Sequence, residues 1–347
     1  MGISLVLVIG LGLVAVSCAG ANRVSPPVVN VAEERPDPLA NEAETVPTEP
    51  IFPQVYVEVT QIDDIETALE VITTPSVPEE PMIVAFGELH ENCMASEYDN
   101  LRCMSFETTA RHMANEIFPL LSRPAYGEIH NYVSEFFRND PVVDQQLADF
   151  MQGAVFINLE HLDDFMRGRD FCPVLRMLEL ASETNSLVYG SHLSLSDLPD
   201  LAGFDALYAN RGDAVRNMLR DYAYARIVAV IGQGRSISFY GGVDHVAPHP
   251  TEAFALRSFG DELAREYENY RAIFIVVPEV AERNLDNPAL IRLGDWRTYI
   301  PQEGITFIRT EVAGVRSMYY IFYPVTQDVR ELTRNEVYSC QQASSGQ

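Results

Sequence analysis

Met82-Ile83-Val84-Ala85-Phe86-Gly87-Glu88-Leu89-His90 is an unbroken apolar run followed by a glycine and two chemically active side chains. A short run of this kind, Met82–Phe86, reads as a strand buried on both faces, as strands of parallel sheets are. Gly87 ends it and has access to backbone angles closed to other residues. If the chain stays extended beyond Gly87, Glu88 and His90 point to the same side.

Further short apolar runs follow at Ala125–Ile129, Leu187–Gly190, Ser236–Tyr240 and Ala272–Val277. Longer amphipathic stretches alternate with them at Ser105–Leu121, Pro141–Met151, Leu159–Met166, Pro173–Ala181, Asp213–Val230 and Glu252–Tyr267. In the first of these, Phe106, Ala110, Met113, Ile117 and Leu121 keep close to the helical period. Ile305–Arg309 and Ser317–Tyr323 form a closing pair. Strand–helix alternation predicts an α/β fold, a mostly parallel central sheet flanked by helices with right-handed crossovers. No repeat of solenoid type interrupts it.

Ligands of such sheets sit beyond the carboxyl ends of the strands, so the residues after each strand matter most. They are Gly87-Glu88-Leu89-His90, Gly127-Glu128-Ile129-His130, Gly190-Ser191-His192 and Gly241-Gly242-Val243-Asp244-His245. Four of the seven histidines thus follow a glycine at an expected strand end. Glu88, His90, Glu128 and His245 are the expected catalytic residues, and His130, His192 and Asp244 are expected binding residues. His112 and His161 fall in or near helices and His249 lies between two prolines; these three read as ordinary side chains.

Histidine serves as a general base, and a carboxylate orients it or stabilises its charged form. Glu and His also bind divalent transition metals, and Glu88, His90 and His245 would be the ligands here. There is no Gly-x-Ser-x-Gly elbow, no His-Glu-x-x-His and no phosphate-binding glycine loop. Gly232-Gln233-Gly234-Arg235 reads as a helix-to-strand turn. For an enzyme with these groups the simplest reaction is hydrolysis, with water activated by histidine or by a metal.

The 347 residues carry 50 acidic against 24 basic side chains, every one of the latter arginine, for a net charge of −26. That balance argues against nucleic acid as a partner, since phosphate contacts need basic clusters. Solubility, or a high-salt or high-GC host, accounts for it.

Residues 3–16 are almost wholly apolar but shorter than the ~20 needed to span a bilayer, as in the apolar region of a secretory signal. Ala15-Val16-Ser17-Cys18-Ala19 is similar to the lipobox of bacterial lipoproteins, with Ala15 where Leu is usual. This implies a signal peptide over 1–17, lipidation of Cys18 and, from Ala19, sorting to the outer membrane of the cell envelope. A cleaved signal without lipid, or an uncleaved anchor, is the alternative. Residues 18–54 are acidic and proline-rich, with Phe52 as their only aromatic residue. They bury too little apolar area to offset their ordering entropy and form a tether. The folded domain is expected over 55–335 and a tail over 336–347.

Four cysteines remain. An even number in an exported chain permits two disulfides: Cys93–Cys103 would close a small loop beside His90, and Cys172–Cys340 would pin the tail. Buried free thiols are the alternative. No Cys-x-x-Cys pair points to a cysteine metal site.

At Gly87-Glu88-Leu89-His90, Glu128 and Gly242-Val243-Asp244-His245 the chain resembles the superfamily that joins erythromycin esterases (EreA-like), the haem-binding lipoprotein ChaN and the TraB/Tiki proteins. Phe171-Cys172-Pro173-Val174-Leu175 through Leu187-Val188-Tyr189, and Arg216-Asn217-Met218, add to the resemblance, which covers about residues 80–280. It implies a ChaN/EreA-like fold and either of two activities. The esterase and Tiki branches imply hydrolysis of an ester or peptide bond in a small-molecule or peptide substrate, with His90 as base and Glu88, Glu128 and His245 as partners. The ChaN branch implies haem binding in iron uptake. A binding module without chemistry is the third reading. Haem or a divalent metal would be the cofactor, and the lipid anchor the only membrane contact. Residues 91–104, with Cys93 and Cys103, depart from the family pattern as an insertion after His90.

Overall fold

The computed structural model describes residues 55–89, 94–95, 100–102, 109–153, 171–192, 204–248, 258–312, 315–326 and 331–333. Outside them lie Cys18, His90, Cys93, Cys103, His161, His249 and Cys340, with the expected signal peptide, tether, Leu159–Met166 helix and most of the C-terminal tail.

In chain order, β1 (Val55–Ile62) leads to α1 (Ile65–Ile72) and then β2 (Ile83–Glu88). Two short strands, β3 (Met94–Ala95) and β4 (Asn100–Arg102), precede α2 (Thr109–His112), a π-turn (Met113–Ile117) and α3 (Phe118–Leu121). Next come β5 (Asn131–Arg138), α4 (Pro141–Met151), α5 (Phe171–Glu183), β6 (Leu187–His192) and the long α6 (Phe204–Ile231). Then follow β7 (Ile237–Gly242), α7 (Val243–Val246), α8 (Gly260–Glu266), β8 (Tyr270–Val276), β9 (Ile305–Val312), β10 (Val315–Phe322) and β11 (Glu331–Thr333).

Eight strands form one sheet in the order β1-β9-β10-β8-β2-β7-β5-β6. The five neighbouring pairs from β10 to β6 are parallel, and β9 and β1 are added antiparallel at one side. The fold is therefore α/β with a mixed, mostly parallel sheet flanked by helices. β11, β4 and β3 form a separate small sheet. Every residue of β2, β5, β7 and β8 is buried, as expected of strands covered on both faces.

Two apolar clusters cover those faces. The first holds Leu69 and Ile72 of α1, Met113, Ile117 and Leu121, Leu147 of α4 and Leu178 of α5. The second holds Ile227 of α6, Val243 and Val246 of α7, and Leu263 of α8. The chain thus leaves β2 and β5 towards the first face, but leaves β7, which lies between them, towards the second. The carboxyl end of β7 is flanked by reversals of this kind, the places where crevices open in such sheets.

Local chemistry explains the element ends. Asp140 caps α4 by accepting from the Val142 amide at 2.8 Å, with Pro141 in the first turn, where a missing N–H costs nothing. Asp140→Ala should lower stability by about 1 kcal/mol in chemical denaturation. The π-turn follows from Pro119 at the start of α3. Proline supplies no amide to the helical ladder, and just before it the Phe118 amide bonds Met113, five residues back.

The strand expected at Ala125–Ile129 is not one. Pro124–Tyr126 is a 3-10 turn, and Gly127 and Glu128 both have positive φ, 89° and 50°. The amides of Glu128 and Ile129 bond back to Arg123 and Leu121, closing the end of the preceding helix. The strand begins only at Asn131. Other expected elements stand within a few residues, except that α6 starts at Phe204 and that the described part of the helix expected over 252–267 is helical only over Gly260–Glu266.

Candidate functional site

Glu88 ends β2 and is 5% exposed. The Tyr240 hydroxyl of β7 donates to its Oε2. Tyr240 belongs to the first apolar cluster, so this pair lies on that face of the sheet, at its carboxyl edge.

The second pair is Glu135 and His245. Glu135 is 7% exposed, and His245 Nε2 stands 3.5 Å from its Oε2. A bulge brings Glu135 there. Between β5 and β6, Ser134 pairs with Gly190 and Arg138 with His192, so β5 spends four residues where β6 spends two. The consecutive residues Phe136 and Phe137 both enter the first cluster, and Glu135 is turned towards β7 instead. A Cβ on Gly241 would sit 2.7 Å from Glu135 Oε2 and 2.7 Å from the Phe239 ring. Gly241 is thus the bare surface on which the carboxylate rests.

His245 is carried by α7, which begins directly after β7. Here Gly87 has its role. It does not adopt a positive φ; it permits close approach, because a Cβ would stand 2.7 Å from Val243 Cα and 2.7 Å from Val246 Cγ2. The glycine of the opening motif lets the histidine-bearing helix lie on β2.

At the end of β7, Glu88 and Tyr240 therefore form one pair on the first-cluster face, and Glu135 and His245 form another beside Gly241 on the second-cluster face. The other expected residues are placed as follows. Glu128 and His130 precede β5 and lie at the opposite, amino edge of the sheet. Glu128 is exposed, and His130 Nδ1 is 3.3 Å from the Ser186 hydroxyl. They lie apart from the site because the glycine turn comes before the strand, not after it. His192 ends β6 at the carboxyl edge, buried and in register with the buried Arg138. Asp244 points instead to Asn287, whose Nδ2 donates to it at 3.4 Å. Cys172 is disulfide-bonded.

Glu135 and Tyr240 are not among the residues expected from the glycine–histidine pattern. The signal for Glu135 was present: a lone carboxylate within Tyr132-Val133-Ser134-Glu135-Phe136-Phe137.

A third group lies outside that pattern. His112, 6% exposed, closes α2. Its Nδ1 is 3.0 Å from Glu116 Oε1, its ring stacks on Tyr323 at 3.5 Å, and the Tyr323 hydroxyl donates to Glu116 Oε2 at 2.9 Å. Burial works to raise the Glu116 carboxyl, but the His112 hydrogen bond and charge, with the Tyr323 hydroxyl, outweigh it and hold it below the ordinary carboxylate range. Burial, and then the Glu116 charge, push the Tyr323 hydroxyl far up.

Among the described residues no three His, Cys, Asp or Glu side chains group closely enough to hold a metal ion. Nor is any described helix long and apolar enough to cross a membrane.

No family model matches the sequence, and no curated protein matches it. A solved structure, that of the type III effector HopBA1, aligns over 56% of this chain and 77% of its own at 12% identity. Its TM-score of 0.33 is too low to carry an argument.

Proposed function

We propose that this chain is a hydrolase of ester or peptide bonds, of the EreA/Tiki-like type. The observation that carries the reading is the placing of two buried carboxylates, Glu88 and Glu135, and the partly buried His245 about the end of β7, where α/β sheets bind ligands. Such groups are costly to bury, and the bulge in β5 and the bare Gly241 make room for Glu135 beside His245.

The reaction they suit is addition of water to a carbonyl. A base takes a proton from water as the oxygen bonds to the carbonyl carbon. The intermediate then collapses, the bond to the leaving oxygen or nitrogen breaks, and the leaving group takes up a proton. His245, held by Glu135, is the imidazole for one of these transfers. The Tyr240 hydroxyl and Glu88 supply a second polar pair at the same strand end, on the other face of the sheet. No step is routed through a metal or haem. The lipobox-like Ala15-Val16-Ser17-Cys18 supports a place for the enzyme on the cell envelope, tethered through residues 18–54.

A panel of p-nitrophenyl esters and short peptides, assayed with the wild-type chain and His245→Ala, tests the reading. Turnover by the wild type that His245→Ala loses is expected. Equal turnover by both, or none by the wild type, would overturn it. A saturable Soret shift on adding haem to an inactive wild type would favour the ChaN-like reading.

A further inference from the structure

The bulge that turns Glu135 towards His245 is held at its far end by one side chain of α6. Val133 pairs with Tyr189 and Ser134 with Gly190, and the pairing of β5 with β6 resumes only at Arg138 and His192. The bulged residues lie close over β6: a Cβ on Gly190 would stand 2.0 Å from the Arg138 carbonyl oxygen and 2.7 Å from that of Phe137. The next residue, Asn139, ties down the exit. Its amide donates to the His192 carbonyl at 2.9 Å, and its side-chain Oδ1 accepts from Arg226 Nη2 at 2.6 Å.

The same Nη2 stands 2.8 Å from Oδ2 of Asp144. Asp144 lies in the first turn of α4, and its Oδ1 accepts from the Gly190 amide at 3.5 Å. The guanidinium carbon is 5.5 Å from the centre of the Tyr189 ring. One guanidinium therefore joins the exit of the bulge, the helix that follows it and the strand it pairs with. It does so on the face that carries the Glu135–His245 pair. Ile227, next to Arg226 on α6, and Val133 belong to the second cluster, and Tyr189 packs against it. Glu135 is two residues beyond Val133, on the same side of the strand. The Arg226 and Asp144 side chains are 22% and 24% exposed, so their attraction is screened less than that of a surface pair. Burial pushes the Asp144 carboxyl up, and the Arg226 charge works against it.

Bulges re-aim side chains. The carboxylate re-aimed here rests on Gly241, which has no side chain to grip it, so its aim is only as firm as the ends of the bulge. A misplacement of about 1 Å in a group of this kind costs about a hundredfold in rate. We propose that Arg226 is a positioning residue for the hydrolysis: it fixes the far end of the bulge and, through it, the Glu135 carboxylate that holds His245. The inference rests on the hydrolase reading above. Both polar contacts of Arg226 run through one nitrogen, so a lysine amine can stand in for it, which a bidentate guanidinium site would not allow.

The test is a double-mutant cycle in the full chain, with the p-nitrophenyl ester turned over fastest by the wild type, run below the lowest melting temperature of the set. Arg226→Ala is expected to lose roughly ten- to a hundredfold in kcat with KM within about threefold. Arg226→Lys should recover most of that loss. In the Glu135→Gln background, Arg226→Ala should cost at most about twofold more, because effects that pass through one residue do not add. A role in stability alone would add its loss in full. Asn139→Ala, which removes the clamp without stranding a charge, should follow the same pattern, and it decides the matter if Arg226→Ala fails to fold. Full kcat in Arg226→Ala and Asn139→Ala, or losses that add in full to that of Glu135→Gln, would overturn this proposal and leave the hydrolase reading standing. A wild type without turnover would overturn both.

Discussion

Glu135→Gln should cost about 10²- to 10⁴-fold in kcat/KM for any ester the wild type hydrolyses, whereas Glu128→Gln should cost nothing. The magnitude is that of losing one member of an oriented acid–base pair. Glutamine keeps the size of the side chain and can still lie against Gly241, but it brings no charge to His245. Circular dichroism and the melting temperature should show Glu135→Gln folded, because the bulge that turns this residue towards β7 is set by the backbone pairing of Ser134 and Arg138 with β6. Glu128 belongs to a turn at the far edge of the sheet and is exposed, so its amide variant has nothing to disturb. Steady-state kinetics on the two proteins side by side settles which carboxylate accompanies His245. If Glu128→Gln were the damaged one, the site would have to be sought elsewhere.

Those two glutamates also mark how far the sequence could be read. The Gly-Glu-x-His pattern at 127–130 repeats the pattern at 87–90, and likeness of pattern suggested likeness of place. Glycine after an apolar run can end a strand or end a helix. At 87 the run is a strand. At 127 it is the tail of a helix, broken by Pro124 and closed by backbone bonds to Leu121 and Arg123. A residue-level pattern does not distinguish these, because the difference lies in what the backbone amides bond. The bulge in β5 is less legible still. It depends on the pairing with β6, some fifty residues away, and no local feature of Ser134–Arg138 states it. Even so, a single carboxylate inside a run buried at every position is a sign that a partner must be brought to it, because a buried charge is costly unless it is paired.

Other parts were plain. The buried-type strands, the Pro141–Met151 stretch and the alternation of elements led to the α/β sheet with few errors of boundary. The edge additions, β1 and β9, were harder to anticipate, since antiparallel pairing at one side of a parallel sheet leaves no mark on the strand itself. His112 and Glu116 stand four apart, a spacing at which helical side chains meet. That pair was legible in principle. What the sequence could not supply was Tyr323, brought under the imidazole from the other end of the domain.

Gly87→Ala should be damaging in both stability and activity, and Gly241→Ala in activity far more than in stability. The two glycines are paired in register on β2 and β7, and each leaves no room for a methyl group. They differ in what the methyl would strike. At Gly87 the obstacles are Val243 Cα and Val246 Cγ2, each 2.7 Å away, so backbone must move and α7 must lift from the sheet. Overpacking of this kind costs about 1–3 kcal/mol or more, which for a domain of this size lowers the melting temperature by about 3–10 °C. His245 would move with α7 and lose its place opposite Glu135. At Gly241 the obstacles are side-chain ends, Glu135 Oε2 and the Phe239 ring, both at 2.7 Å. A side chain can swing aside at lower cost, but the one that swings is the carboxylate facing His245. Melting curves and kcat/KM on the two variants separate packing from chemistry. Loss of activity in Gly241→Ala with a melting temperature close to wild type would place the function at this strand end; full activity in that variant would remove Glu135 and His245 from it.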